Sequence, residues 1–249
     1  MTQTTHNPFF FSYNTPFETP PFNEIKNEHF EPAFDEGIKR LDSEVQAIAN
    51  DTQPATFENT IIALERSGKL LNKVSSAFFN ILNAEADDEM MEISQRISPK
   101  LSESSNNIFL NEKLFARVKD VYEQKEQLNL STEDAKLLEE TFESFSIRGA
   151  NLSPEDKEKY RKLSTDLSVL TLTFDQNALK DKNRYELLLT EEKDLAGLPE
   201  SIREAATYRA KEKGKEGWLF NLSAPSYIPF MRYSALRPLR EAMYREYMS

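Results

Sequence analysis

Cysteine is absent from this 249-residue chain. That excludes disulfides and thiolate metal sites, and it suits a reducing, cytoplasmic compartment. Histidine is nearly absent. His6 and His29 are the only two, too far apart for local metal-ligand spacing. His29 is followed by Phe30-Glu31-Pro32, so there is no His-Glu-x-x-His zinc motif. A zinc site would need several carboxylates, a donor set weakly favoured for that metal. With no histidine placed to act as base, Ser223 and Ser226 have little support as nucleophiles. The six glycines form no phosphate-binding loop. No apolar run approaches the roughly 18 residues of a membrane span. The amino terminus lacks the basic region and apolar core of a secretory signal. Basic charge is also short: 31 Lys and Arg face 42 Asp and Glu, a net charge of −11. Such a surface repels phosphate backbones and argues against nucleic acid as a partner.

What remains is rich in helix formers, with only twelve prolines. A mainly α chain is expected, long enough for one large or two small domains. No repeat of fixed period is present. Residues 1–27, with Phe9, Phe10, Phe11, Tyr13, Phe17 and Phe22, read as an extended arm too apolar to be a free tail. Its rings are expected to insert into the body, either as simple anchors or as a gate at a channel mouth. Phe34, Ile38, Leu41, Val45 and Ile48 then mark one face of a first helix. Thr56 is placed to cap a second, carrying Ile61, Leu64, Leu71, Val74, Phe78 and Ile81, with Gly68 inside it to allow a close crossing. A third begins near Asp87 and Asp88 and contains Pro99, which should kink it. Further helices are expected over about 112–127, from Ser131 to a cap at Gly149, and from Ser153-Pro154 onward. The last is the most regular, with Tyr160, Leu163, Leu167, Leu170 and Phe174 stepping 3, 4, 3, 4.

After about residue 180 the character changes. Tyr185 to Leu189 and Trp218 to Leu222 read as partner strands of a small β-ribbon, with a polar helix over 200–212 between them. A short helix or turn follows from Ser226. Pro238 opens another helix, which has run about three turns at Ser249 without a capping glycine. The expectation is a chain cut inside a longer protein, divided as 1–27, 28–180 and 181–249.

One stretch carries a resemblance: Gly217-Trp218, Pro225-Ser226-Tyr227, Pro229, Met231, Tyr233, then Arg237, Leu239-Arg240-Glu241 and Tyr244. Thr56-Phe57-Glu58-Asn59-Thr60-Ile61 with Ala63-Leu64-Glu65 and Ser67-Gly68, His29-Phe30-Glu31-Pro32-Ala33-Phe34, Gly149-Ala150-Asn151-Leu152 and Gly197-Leu198-Pro199 agree with it. Together, in this order, they resemble the thimet oligopeptidase family of zinc metallopeptidases, which includes oligopeptidase A and the peptidyl-dipeptidases, and are closest to the peptidyl-dipeptidase branch. The resemblance covers nearly the whole chain, although no piece is a catalytic signature.

The resemblance implies a multi-helix N-terminal lobe of a zinc oligopeptidase-like fold, walling a narrow channel that admits short peptides. Zinc and the general base belong to the later, catalytic lobe, which this chain lacks, so no metal is expected to bind here and no catalytic residue is assigned. Candidate channel residues are Tyr227, Arg237 and Arg240. Arg237 and Arg240 flank the first turn of the last helix, where they either grip a peptide carboxylate bidentately or pair with neighbouring Glu. The tyrosines, including Tyr233, Tyr244 and Tyr247, either touch substrate or pack. Glu58 with Glu65 and Glu139 with Glu143 share helix faces, as solvated acidic helices routinely do. Two readings stand: an inactive amino-terminal part of a cytoplasmic peptidase, or a stand-alone helical scaffold that binds peptides without catalysis.

Overall fold

The structure, a computed structural model, describes residues 7–85 and 87–249, and leaves the side chains of residues 85 and 179–183 undescribed. The start of the expected arm, with His6, lies outside the described residues. The chain is mainly α with one two-stranded ribbon, and it divides after Leu172 into two compact units.

In the first unit, α1 (Asn27–Ala49) begins where His29 Nδ1 accepts a hydrogen bond from the Lys26 amide at 3.0 Å. It is the central element, packed on α3 (Lys69–Glu85) and α4 (Asp88–Phe109). Thr56 caps as expected: its Oγ1 accepts from the Asn59 amide at 3.1 Å, and Asn59 Oδ1 accepts in return from the Thr56 amide. The turns that follow are a π-helical segment, Phe57–Ile62, running into α2 (Ala63–Glu65). The single helix expected through Gly68 is instead two. Gly68 adopts φ +70°, a conformation that ends helices, and its amide donates to Glu44 Oε2. The close crossing belongs to Gly37, where a Cβ would lie 3.0 Å from Leu71 Cα.

Asp87 Oδ1 caps α4 by accepting from the Met90 amide at 2.7 Å, and Pro99 lies within that helix. α5 (Glu112–Glu123) and α6 (Thr132–Ile147) follow, the latter capped by Ser131. Two cores result. One joins Phe30, Phe34, Val74, Phe78, Ile93 and Ile97. The other joins Val45, Ile48, Ile61, Leu114, Val118, Leu138 and Phe145. The arm inserts Phe9 alone as a fully buried ring. Asn7 Nδ2 holds the His29 carbonyl, and Lys73 Nζ holds the carbonyls of Phe9 and Phe11. Phe10, Phe11, Phe17 and Phe22 remain exposed, against expectation.

The regular helix is α7 (Pro154–Arg184), capped as expected by Ser153. Leu163, Leu167, Leu170 and Phe174, the regular apolar stripe of this helix, are 67, 64, 65 and 72% exposed. The side turned to the first unit is polar instead. Lys157 reaches Glu112 at 3.0 Å, Arg161 reaches Asn107 at 2.9 Å, and Ser164 accepts from Asn106 at 2.8 Å. Periodicity locates a stripe; it does not supply the element that covers it.

In the second unit, β1 (Leu187–Leu189) pairs antiparallel with β2 (Trp218–Phe220), with Leu188 opposite Leu219. α8 (Glu200–Glu212) lies on β2. α9 (Ala224–Tyr233) and α10 (Arg237–Tyr247) complete it, with Pro238 in the first turn of α10 as expected. Leu189, Leu195, Leu198, Ala206, Phe220, Phe230 and Met243 form its core.

Candidate functional site

α9 ends at Tyr233, and the chain turns through Ser234, Ala235 and Leu236 into α10. The Ser234 hydroxyl accepts from the Leu236 amide, and the Ala235 amide donates to the Ala196 carbonyl at 2.8 Å. This turn fixes the direction of α10. Arg237, Arg240, Glu241, Tyr244 and Arg245 then repeat at three- and four-residue steps, and so share one face. With Met231 from α9 they line an open cleft of about 450 Å³.

Three guanidinium groups and one carboxylate line this cleft, in a chain whose net charge is −11. Arg245 is engaged by Glu241 at 2.8 Å. Arg240 is half-buried and donates to the Ser234 carbonyl. Arg237 is exposed and has no ion-pair partner among the described residues. A guanidinium in that state presents a fork of donors that matches a carboxylate, and one lone pair on such a ligand can also take the Tyr244 hydroxyl.

The structure therefore brings Arg237 and Arg240 together and sets Tyr227 apart. Tyr227 stacks on Tyr247 with ring centroids 4.1 Å apart and does not line the cleft. Burial, then the neighbouring Tyr247 and Tyr244, push its hydroxyl above the usual phenol range, so it stays a neutral donor. Met231 was named from sequence only as part of the resemblance, and Arg245 was not singled out. The helix spacing from Arg237 through Arg245 was the signal that joins Arg245 to the set.

The other sequence constellations resolve into structural roles. Ser226 is buried and its Oγ accepts from the Asn221 amide. Glu58 pairs with Arg66 and Glu139 with Lys136 on the surface. Among the described residues no donor set fits a zinc ion. His29 is buried with Nδ1 committed to the Lys26 amide, and its Nε2 lies 3.9 Å from Glu28 alone. Among the described residues no three His, Asp or Glu side chains gather as a metal site, and no helix is long and apolar enough to cross a membrane.

No family model matches the chain. Individual proteins do. Over 242 residues, 97% of its length, it is 37% identical to a dipeptidyl carboxypeptidase of Escherichia coli, of which it covers 36%. It is 32% identical over 233 residues to oligopeptidase A of the same organism and 34% identical over 229 residues to oligopeptidase A of Haemophilus influenzae, covering 34% and 33% of them. These relatives are peptidases by name, and the chain spans about a third of their length.

Proposed function

We propose that the chain belongs to the family of dipeptidyl carboxypeptidase and oligopeptidase A, and that it is the amino-terminal, non-catalytic part of a zinc-dependent peptidase of short peptides. The observation that carries this reading is the match along 97% of the chain to only 36% of a dipeptidyl carboxypeptidase. Nearly everything here has a counterpart there, while most of the relative has none here.

On this reading the helices wall a substrate channel, and the cleft of α9 and α10 faces the peptide. Arg237 and Arg240 take a carboxylate of the substrate, by charge-assisted hydrogen bonds about twice as strong as neutral ones. Channel walls of this kind confine the peptide and exclude water from the reacting bond. Zinc, with its ligands and general base, is assigned to polypeptide outside this chain, because the sequence holds no His-Glu-x-x-His and no donor set among the described residues fits the ion. Absence of cysteine accords with the cytoplasm as its compartment.

The test begins with the gene. A reading frame that continues past Ser249 and encodes His-Glu-x-x-His on a helix supports the reading; a stop codon there refutes it. This chain alone, given zinc and a short peptide, is expected to show no hydrolysis. Turnover that survives purification and is abolished by chelation overturns the assignment. In the longer polypeptide, Arg237→Ala with Arg240→Ala is expected to raise KM for short peptides while leaving kcat nearly unchanged. An unaltered KM removes the cleft from the substrate path.

A further inference from the structure

The part of α7 that belongs to the first unit, residues 154–172, lies on the rest of that unit inside out. The side it turns inward holds Lys157, Arg161, Ser164 and Ser168, attached by hydrogen bonds to Glu112, Asn107 and Asn106. The side it leaves to solvent is Leu163, Leu167, Leu170 and Phe174, each about two-thirds exposed or more. Burying apolar side chains is favourable, so four in a row on one helix are a contiguous unused surface.

The stripe has a definite shape. From Tyr160 to Phe174 the steps of 3, 4, 3 and 4 keep the heptad period, so the stripe runs straight along a second helix laid beside it. Positions 164, 166, 171 and 173 border the seam in that pattern. They are Ser164, Asp166, Thr171 and Thr173, so one charge must be screened when the seam is covered. Small hydroxyl side chains also permit close approach. The fit is to an amphipathic helix with its own apolar seam.

Charge narrows the source of that helix. The first unit holds 18 basic and 30 acidic side chains, the second 13 and 12. Anionic lipid is repelled from so acidic a unit, and a second copy brings the same net charge of −11 to the contact. The relatives are nearly three times as long as the matched region. We infer that the seam Leu163–Leu167–Leu170–Phe174 seats one amphipathic helix from the polypeptide that makes up the other two-thirds of the relatives' length. This inference rests on the reading given under Proposed function.

The experiment is hydrogen exchange read by mass spectrometry, on this chain and on the longer polypeptide side by side. Peptides within residues 160–174 are expected to exchange about tenfold more slowly in the longer polypeptide. Leu167→Glu with Leu170→Glu is expected to remove that difference there, and to leave the helix content of this chain unchanged because both side chains are exposed in it. Equal exchange in the two polypeptides overturns the inference. So does slow exchange in this chain alone that strengthens with its concentration, which makes a second copy the occupant. A reading frame that stops at Ser249 overturns it as well. Peptide hydrolysis by the longer polypeptide without protection of the seam leaves the proposed function standing and this inference refuted. Protection without hydrolysis does the reverse.

Discussion

Replacing Arg117 with methionine tests how the first unit is held together. Arg117 extends from α5 and is only 8% exposed. Its Nη1 donates to the carbonyls of Asp51 and Gln53, both at 2.9 Å. Its Nη2 donates to Asn59 Oδ1 at 3.0 Å and to Thr60 Oγ1 at 3.3 Å, with the Asp51 carboxylate at 3.5 Å. One side chain thus ties the loop after α1 and the first π-helical turn to α5. Hydrogen bonds from a charged group contribute about 1.5–3 kcal/mol each. Four added together would approach the whole stability of a domain, roughly 5–15 kcal/mol, so they cannot simply sum. Two costs oppose them. Burying the guanidinium costs several kcal/mol, and its Nε has no partner, worth about 1–3 kcal/mol more. Methionine keeps much of the stem, removes both costs, and strands the two loop carbonyls. Removing one partner of a buried charged network typically costs about 3–5 kcal/mol, and the lower end is expected here. Urea unfolding followed by circular dichroism reads the change. Arg96→Met is the control, because its ion pair with Glu31 is exposed and worth about 1 kcal/mol or less. An Arg117→Met protein as stable as the wild type refutes the reasoning, since desolvation would then outweigh the bonds.

Two further substitutions test local accounts. Burial pushes the Asp42 carboxyl above the usual aspartate value, against the lowering effect of the Ser104 hydroxyl. The stability this group contributes is therefore full below its unfolded value and lost as pH rises through its raised folded value. Asn mimics the protonated form, so Asp42→Asn is expected to raise the Tm at neutral pH and to lose that advantage near about pH 3; a destabilised variant at neutral pH contradicts this. Gly197 has φ +86°, and a Cβ there would lie 2.2 Å from the Tyr233 carbonyl oxygen. Gly197→Ala is expected to cost the second unit more than about 2 kcal/mol, since backbone must move. The fluorescence midpoint of Trp218, which lies in that unit, reports it, and an unshifted midpoint refutes it.

Helix starts were the most legible part of the fold, because a cap is a local device. Thr56, Asp87, Ser131 and Ser153 each bond an amide three residues on, and nothing distant is needed to predict it. Gly68 was misread because sequence does not distinguish a glycine tolerated within a helix from one that ends it. That choice depends on tertiary partners such as Glu44, 24 residues away. The aromatic arm was misread for a related reason. Composition treats its phenylalanines alike, yet Phe9 alone among them is buried, two residues from the anchor at Asn7 and with its carbonyl held by the Lys73 ammonium. At the candidate site, Arg237 and Arg240 were legible from the helix that Pro238 opens. The displacement of Tyr227 was not, because its partner Tyr247 is 20 residues away on the next helix.

α7 separates two questions that a periodic sequence merges. The spacing of Tyr160 through Phe174 established an apolar stripe, and the stripe is there. That it points to solvent follows from the opposite side, where Lys157, Arg161 and Ser164 find specific polar partners on α4 and α5. Polar groups that satisfy one another this way fix the rotation of the helix as firmly as leucines in a core would, since rotating it would strand them. Both faces of α7 are thus specified, one by bonds present in this chain and the other by a surface that the proposed reading assigns to the rest of the polypeptide. The unpaired Arg237 follows the same logic at smaller scale. A donor fork without an ion-pair partner among the described residues, on a helix face with Arg240 and Tyr244, is what a site for an incoming carboxylate requires before that carboxylate arrives.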